Sequence, residues 1–281
     1  MNVNSGLVLE GGGMRGVYTA GVLEYFLEHD ITFPYVIGVS AGAANAASYL
    51  SMQKGRNKKV NIGFVSDSRY ISWKNLLKKR QVFGMDFIFD EIPNKLVPYH
   101  YDVFYKNNTE FVIGTTDCLT GKPVYYRKED YRNQLLTLIR ASSSLPFIAP
   151  EVIFQSKTLL DGGISDPIPI QQSERDGNER NVVVLTRNDG YFKKPSRFHF
   201  LLKRKYPMYK GLQEAIALRH QKYNTTIQYL MEQERQGKVL IIRPSDPIKV
   251  GRIEKDPVKL ENLYNLGYKD AERIAEKLVA W

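Results

Sequence analysis

Tyr35-Val36-Ile37-Gly38-Val39-Ser40-Ala41-Gly42 is a short apolar run that ends in a serine between glycines, and an alanine-rich segment follows it at once. The run predicts a buried strand, and the alanines predict a helix packed closely on a sheet. Between them lies Gly38-Val39-Ser40-Ala41-Gly42, a G-x-S-x-G pentapeptide in the strand, turn and helix setting that a nucleophile elbow requires. Such a turn forces its serine into a strained backbone conformation, and Gly38 and Gly42 keep neighbouring side chains from colliding there. The Ser40 hydroxyl would then project from the carboxyl end of the sheet, over a helix N-terminus. The pentapeptide alone is also an ordinary tight turn, so its weight comes from the elements on either side.

Upstream, the unit repeats. Gly6 to Leu9 is an apolar run that ends in Gly11-Gly12-Gly13, and Val17, Ala20, Leu23 and Leu27 recur at helical spacing. Downstream, Glu110 to Thr116 and Pro123 to Tyr126 read as a hairpin across Leu119-Thr120-Gly121-Lys122. Tyr131 to Arg140 reads as a helix, Thr158 to Leu160 and Val182 to Leu185 as buried strands, and Tyr209 to Glu234 as a long helix. Val239 to Ile242 reads as a last strand before a helix from Pro257 to Val279, with Pro257 in its first turn. Alternating strands and helices predict an α/β fold, a three-layer sandwich with a largely parallel central sheet flanked by helices. Residues 1–190 are expected to form the catalytic domain, and residues 191–281 a helical extension with one strand packed on it. The stretch from Lys193 to Tyr209, rich in proline and positive charge, is the expected boundary or mobile loop.

Gly11-Gly12-Gly13-Met14-Arg15-Gly16 admits two readings. It matches the G-x-G-x-x-G of dinucleotide-binding folds, but that site expects an acidic residue at the end of the second strand, where this chain has Ser40. In a hydrolase, the same unhindered N–H groups would form an oxyanion hole, with Ala41 as a further donor; losing one such donor costs on the order of 10² to 10³ in turnover. Arg15 would brace the loop, meet a lipid phosphate, or simply stand exposed in a first helical turn.

A serine nucleophile needs a base, and the four histidines His29, His100, His199 and His220 sit in no obvious loop. Asp161-Gly162-Gly163 is the better candidate, because a strand precedes the carboxylate and Gly162 and Gly163 let the chain turn sharply after it. A solvated aspartate, with a pKa near roughly 3.9, is a feeble base, so burial beside Ser40 would have to raise its proton affinity. Without Ser40, Asp-Gly-Gly would be a plain turn; Asp166 reads as a turn or cap.

Composition sets outer bounds. An apolar fraction of 43% over 281 residues suffices for a packed core, and a single cysteine, Cys118, rules out an internal disulfide. The N-terminus lacks the basic region of a secretory signal, and the uncharged stretch from Ile31 to Gln53 is broken by Pro34, Gly38, Gly42 and Asn45, so neither export nor a membrane span is expected. The net charge of +10 gathers at Lys54, Arg56, Lys58 and Lys59, at Lys74, Lys78, Lys79 and Arg80, and at Lys203, Arg204 and Lys205. These clusters would either draw the chain to polyanions or serve as solvated faces.

The three motifs in this order, Gly11 to Gly16, Gly38 to Gly42 and Asp161 to Gly163, resemble the patatin-like phospholipase family. The likeness runs from about Gly6 to Leu185 and includes Leu7-Val8-Leu9-Glu10-Gly11-Gly12-Gly13 and Asp161-Gly162-Gly163-Ile164-Ser165-Asp166-Pro167-Ile168-Pro169. It implies a Ser40–Asp161 dyad without histidine, an oxyanion hole in the first glycine loop, and hydrolysis of acyl esters in phospholipids or other lipids. It implies neither cofactor nor metal. Gly163 stands where many members of that family carry alanine. The partners expected are a lipid or acyl-ester substrate and, through peripheral contact, an anionic membrane surface, with no nucleic acid; the expected location is the cytoplasm, including the inner face of the membrane. Two rivals stay open: an acyltransferase using the same dyad, and a non-catalytic nucleotide- or lipid-binding module.

Overall fold

A computed structural model describes residues 3–72, 75, 81–131, 133–195, 199–279 and 281. In chain order its elements are β1 (Gly6–Leu9), α1 (Val17–Glu28), β2 (Tyr35–Val39), α2 (Ala41–Leu50), α3 (Arg56–Asn61), α4 (Tyr101–Lys106), β3 (Glu110–Asp117), β4 (Pro123–Arg127), α5 (Leu135–Ser142), β5 (Val152–Phe154) and β6 (Lys157–Asp161). There follow α6 (Ile170–Arg175), β7 (Asn181–Val184), α7 (His199–Lys205), α8 (Lys210–Arg235), β8 (Val239–Ile242), α9 (Pro257–Arg273) and α10 (Ala275–Val279).

One sheet runs β5-β6-β3-β2-β1-β7-β8, with β4 paired to β3. Strands β3, β2, β1, β7 and β8 are parallel, and β4, β5 and β6 join antiparallel. Strand side chains alternate across the sheet, so each strand feeds two cores. Leu7, Leu9, Val36, Phe111, Ile113, Val182 and Val184 face α1, α2, α5 and α9. Val8, Ile37, Val112, Val183 and Ile241 face α6 and α8. This is the expected three-layer α/β sandwich, and burial on both faces is why its central strands read as unbroken apolar runs.

The glycine loop leads into a tight helical turn, Gly13–Gly16, that flows directly into α1. Helix α9 lies across α1 where both lack a side chain: a Cβ on Gly21 would strike the Tyr264 carbonyl, and one on Gly267 the Tyr18 carbonyl. Tyr18 Oη donates to Asp270 at 3.0 Å, tying the crossing. Asp256 caps α9 by accepting from the N–H groups of Val258 and Lys259, with Pro257 in the first turn as expected.

Several boundaries move. The helix predicted from Tyr131 begins at Leu135, because residues 128–131 form a separate tight turn and Tyr131 is buried with its hydroxyl on the Phe111 carbonyl. The helix predicted from Pro257 to Val279 breaks at Ile274. Between α3 and α4, a wide helix, Phe87–Leu96, contains Pro93, whose missing N–H disfavours regular α-helical pairing. Residues 196–198 of the stretch from Lys193 to Tyr209 lie outside the described residues, but within it Leu202 and Tyr206 pack with Cys118, Leu160, Ile164 and Leu212. Strands β7 and β8, before and after it, pair directly.

The α1–α9 crossing carries a stability prediction. Gly21→Ala forces a methyl into backbone and should cost about 1–3 kcal/mol by denaturant titration, the usual range for overpacking. Gly251→Ala, where the nearest atom to a new Cβ is 3.8 Å away, serves as the control and should lie within about 0.5 kcal/mol of the parent.

Candidate functional site

Strand β3 is longer than its neighbours, and one of its edges serves two strands in turn. Residues Glu110 to Gly114 pair with β2, whose last residue, Val39, stands opposite Gly114. Beyond that point β6 takes over, with Asp161 opposite Thr115. Strand β4 occupies the other edge at the same level, pairing Gly114 with Tyr125 and Thr115 with Val124. The residue after β2, Ser40, and the residue that ends β6, Asp161, are therefore brought together by consecutive register positions of a third strand.

Ser40 has φ 55° and ψ −127°, a conformation disfavoured for any residue with a Cβ and of the kind expected at an elbow. Two bonds pin it: its N–H donates to Ser142 Oγ at 2.8 Å, and Ser142 Oγ donates to the Gly114 carbonyl at 2.6 Å. Ser142, at the end of α5, thus links the elbow to β3. Gly38 and Gly42 act by close approach, since a Cβ would lie 2.7 Å from the Ala43 nitrogen at Gly38 and 2.6 Å from the Leu9 carbonyl oxygen at Gly42.

The glycine loop packs onto this turn. A Cβ on Gly11 would stand 2.9 Å from that of Ser40, and one on Gly16 would stand 2.6 Å from that of Ala41. Gly11, Gly12, Gly13 and Arg15 line one narrow cleft with Ser40, Asp161 and Gly163. Ala41 opens α2, where the first N–H groups have no intrahelical partner. Met14 differs from the expectation of a free donor, because its N–H is given to the Arg252 carbonyl at 3.1 Å. That contact also fixes Gly13, at φ 58°, against Arg252.

Asp161 is almost wholly buried, 2% exposed, and burial pushes its carboxyl above the usual aspartate range. The charge of Arg219, the neighbouring Ser40 hydroxyl and the Gly163 N–H pull it partway back. The Gly163 bond to Oδ1 measures 2.7 Å. The Asp161 backbone is held on both sides, its N–H by Ser144 and its carbonyl by Thr116 Oγ1, each at 2.8 Å. Gly162 is pressed against the Gly114 carbonyl, so the turn after the carboxylate admits no side chain. Asp166 is no solvated turn residue: it is 5% exposed and accepts the Tyr125 hydroxyl at 2.6 Å.

Sequence reasoning missed the wall contributed by distant segments: Glu10, Lys193, Arg219 and Arg252 also line the cleft. Glu10 accepts from the N–H and hydroxyl of Thr186 at 2.5 and 3.0 Å, and Arg219 Nε donates to the Gly163 carbonyl. An adjoining cavity of about 540 Å³ is lined mainly by apolar residues, among them Leu145, Phe147, Ile164, Leu202 and Ile216, and shares Lys193, Arg219 and Arg252 with the cleft. None of the described histidines lines the cleft: the His29 ring lies 4.1 Å from that of Tyr25, and His220 Nδ1 meets the Ala217 carbonyl on its own helix.

The basic clusters of the sequence fare unevenly. Arg56 is buried, with its guanidinium donating to the Val97 carbonyl at 2.6 Å, and Lys58 pairs with Glu261. Lys74, Lys78, Lys79 and Arg80 lie outside the described residues. Lys203, Arg204 and Lys205 form the last turn of α7.

A strained serine at a strand-to-helix turn, next to a buried carboxylate at the end of a mostly parallel sheet, marks the site of this α/β protein. Residues 7–173 match the patatin-like phospholipase family, and the chain belongs to it. Residues 209–281 match a domain of unknown function, DUF6363. The uncharacterized protein YjjU of Escherichia coli K12 is 29% identical over 185 residues, covering 64% of this chain and 51% of YjjU. Lysophospholipase nte1 of Aspergillus terreus is 25% identical over 296 residues, covering 97% of this chain and 18% of that protein. The chain thus spans about half the length of YjjU and less than a fifth of the fungal lysophospholipase. The crystal structure of VipD from Legionella pneumophila shares the fold, with a TM-score of 0.58 at 13% identity, over 98% of this chain and 67% of VipD.

The Asp161 environment predicts a pH-dependent stability difference. A carboxyl raised on folding makes the folded state bind the proton more tightly, so ionising it costs stability above the folded pKa and costs nothing below the unfolded value near roughly 3.9. Asp161→Asn should therefore melt higher than the parent at pH 8. The gap should close as the pH falls toward 4, measured by thermal unfolding across that range.

Proposed function

We propose that this chain hydrolyses acyl esters of lipids, with Ser40 as nucleophile and Asp161 as base. The observation that carries this reading is the pairing of a strained, nearly buried serine with a carboxylate whose proton affinity burial raises. A base of raised pKa accepts the hydroxyl proton more readily than a solvated aspartate, and the elbow presents the oxygen without a further conformational cost.

In the first step Asp161 takes the Ser40 proton as Oγ attacks the ester carbonyl. The candidate donors for the oxyanion are the N–H groups of the Gly11 to Gly16 loop other than that of Met14, which the Arg252 carbonyl takes, together with the N–H of Ala41. The intermediate collapses as the alcohol leaves, carrying the proton from Asp161, and Ser40 is left acylated. Asp161 then takes a proton from water, the resulting hydroxide attacks the acyl group, and the proton returns to Ser40 as the fatty acid departs. The apolar cavity beside the cleft suits an acyl chain, and the relative from Aspergillus terreus is named a lysophospholipase, which favours a lipid ester over a small soluble one.

The site is tested on short p-nitrophenyl esters and a lysophospholipid. Ser40→Ala and Asp161→Asn should each lower kcat by about 10³-fold or more while both proteins stay folded, and a fluorophosphonate should label the parent at Ser40 only. Near-parental turnover in either variant rejects the dyad; product analysis with added alcohol acceptors distinguishes hydrolysis from acyl transfer.

Among the described residues no helix is long and apolar enough to cross a membrane. The lipid-facing side is proposed to be the face around the apolar cavity, which Phe192 and Leu202 line: Phe192 is exposed there, and Leu201 and Met208, exposed as well, flank Lys203, Arg204 and Lys205 in the chain. Cosedimentation with anionic vesicles should fall as salt rises and fall further in Met208→Ser, whereas binding indifferent to lipid charge rejects the assignment.

A further inference from the structure

Four cationic side chains, Arg15, Lys193, Arg219 and Arg252, line the cleft that holds Ser40, against two carboxylates, Glu10 and Asp161. Both carboxylates are already engaged: Glu10 by the N–H and hydroxyl of Thr186, and Asp161 by the Gly163 N–H. Among the described residues none of the four cations is within 4 Å of a carboxylate. Arg15 is 5% exposed, and its Nε has no hydrogen-bond partner. Desolvation and mutual repulsion bring Arg15 and Arg219 down to about 10 and Lys193 to about 7. Lys193 has partial relief from the face of the Tyr223 ring, 4.4 Å away.

Such crowding is costly in a protein with nothing to bind it, because buried cations repel one another and have lost their water. The oxyanion of acyl transfer would relieve one charge, and only transiently. A bound phosphate would hold Lys193 in its charged form, and with both carboxylates ionised the four cations then leave a surplus of two positive charges, which suits a phosphomonoester above its second pKa of about 6. The geometry points to a subsite for a dianionic phosphate where the narrow cleft opens into the adjoining cavity of about 540 Å³, built by Lys193, Arg219 and Arg252, which line both, with Arg15 in the cleft beside them, and to acylglycerol 3-phosphates as the substrate class. A headgroup ending in an ammonium would bring a fifth cation into the same cleft.

The inference rests on the hydrolase reading for the fate of the ester, but not for the binding of the phosphate. It also gives residues 209–281, which match a domain of unknown function, a direct part in the site, since Arg219 and Arg252 both come from that segment. Gly163 contributes by omission. A Cβ there would stand 3.3 Å from Arg219 Nη2, so the bare backbone lets the guanidinium pack against the turn after Asp161.

The experiment separates binding from turnover. The 281-residue chain carrying Ser40→Ala is titrated by calorimetry with 1-lauroyl-glycerol 3-phosphate below its micelle concentration, with 1-lauroylglycerol, and with inorganic phosphate. The phosphorylated lipid should bind at least tenfold tighter than the neutral one. Adding Arg252→Gln or Lys193→Gln should erode that preference about tenfold, and Arg252→Lys should restore part of it. Because the Arg252 carbonyl, not its side chain, holds the Met14 N–H, Arg252→Gln leaves the loop tie intact. Equal affinity for the two lipids, or a preference that both Gln variants leave unchanged, overturns the subsite. Inorganic phosphate binding as tightly as the phosphorylated lipid overturns the lipid assignment. If the parent chain hydrolyses no ester while the charge preference persists, the subsite stands and the hydrolase reading falls.

Discussion

The structure turns on one edge of β3. A strand eight residues long outruns β2, and the vacant edge beyond Val39 is filled by β6 arriving from the opposite direction. Backbone pairing on this edge sets the spacing between the ends of the two strands to within a register step. Ser40 and Asp161, separated by more than a hundred residues in sequence, meet because both strands stop at the same place. Hydrogen bonds along β3, the Ser142 bridge and the Thr116 contact make that meeting rigid.

Rigidity matters because both groups are held in unfavourable states. Ser40 sits in a strained backbone region, and Asp161 carries its carboxylate almost wholly out of water. Neither would persist on a mobile loop, where rotation or solvation would release the strain. The sandwich offsets these costs with an apolar core on each face of the sheet, and close approach of backbone at Gly38, Gly42 and Gly162 leaves the turns no alternative packing. The site is thus a local departure from comfort on a scaffold that is otherwise consistent at every level.

The C-terminal segment is integral to this scaffold. Strand β8 extends the sheet from β7, α9 crosses α1 at paired glycines, and the Arg252 carbonyl holds the glycine loop through Met14. Arg219 reaches the turn after Asp161 from the middle of α8. The cleft therefore has one wall from the phospholipase-family segment and another from residues beyond it, and the electrostatics beside Ser40 depend on both.

Much of this was legible in the chain itself. Gly38 to Gly42 between an apolar run and an alanine-rich segment marked the elbow, and Gly11 to Gly16 and Asp161 to Gly163 marked the two loops that join it, because turns of special geometry demand particular residues at fixed spacing. The strands and long helices were legible for the same reason: periodic burial leaves a periodic pattern. Ser142, Arg219, Arg252 and Lys193 carried no such mark. An isolated serine at a helix end or an arginine on a long polar helix obeys no local rule, and its role follows only from what the packed fold sets beside it. Local sequence determined the turns and the elements; tertiary packing alone decided the pairing of Ser40 with Asp161 and the charge around them, since Coulomb and desolvation energies depend on distances in space and not along the chain.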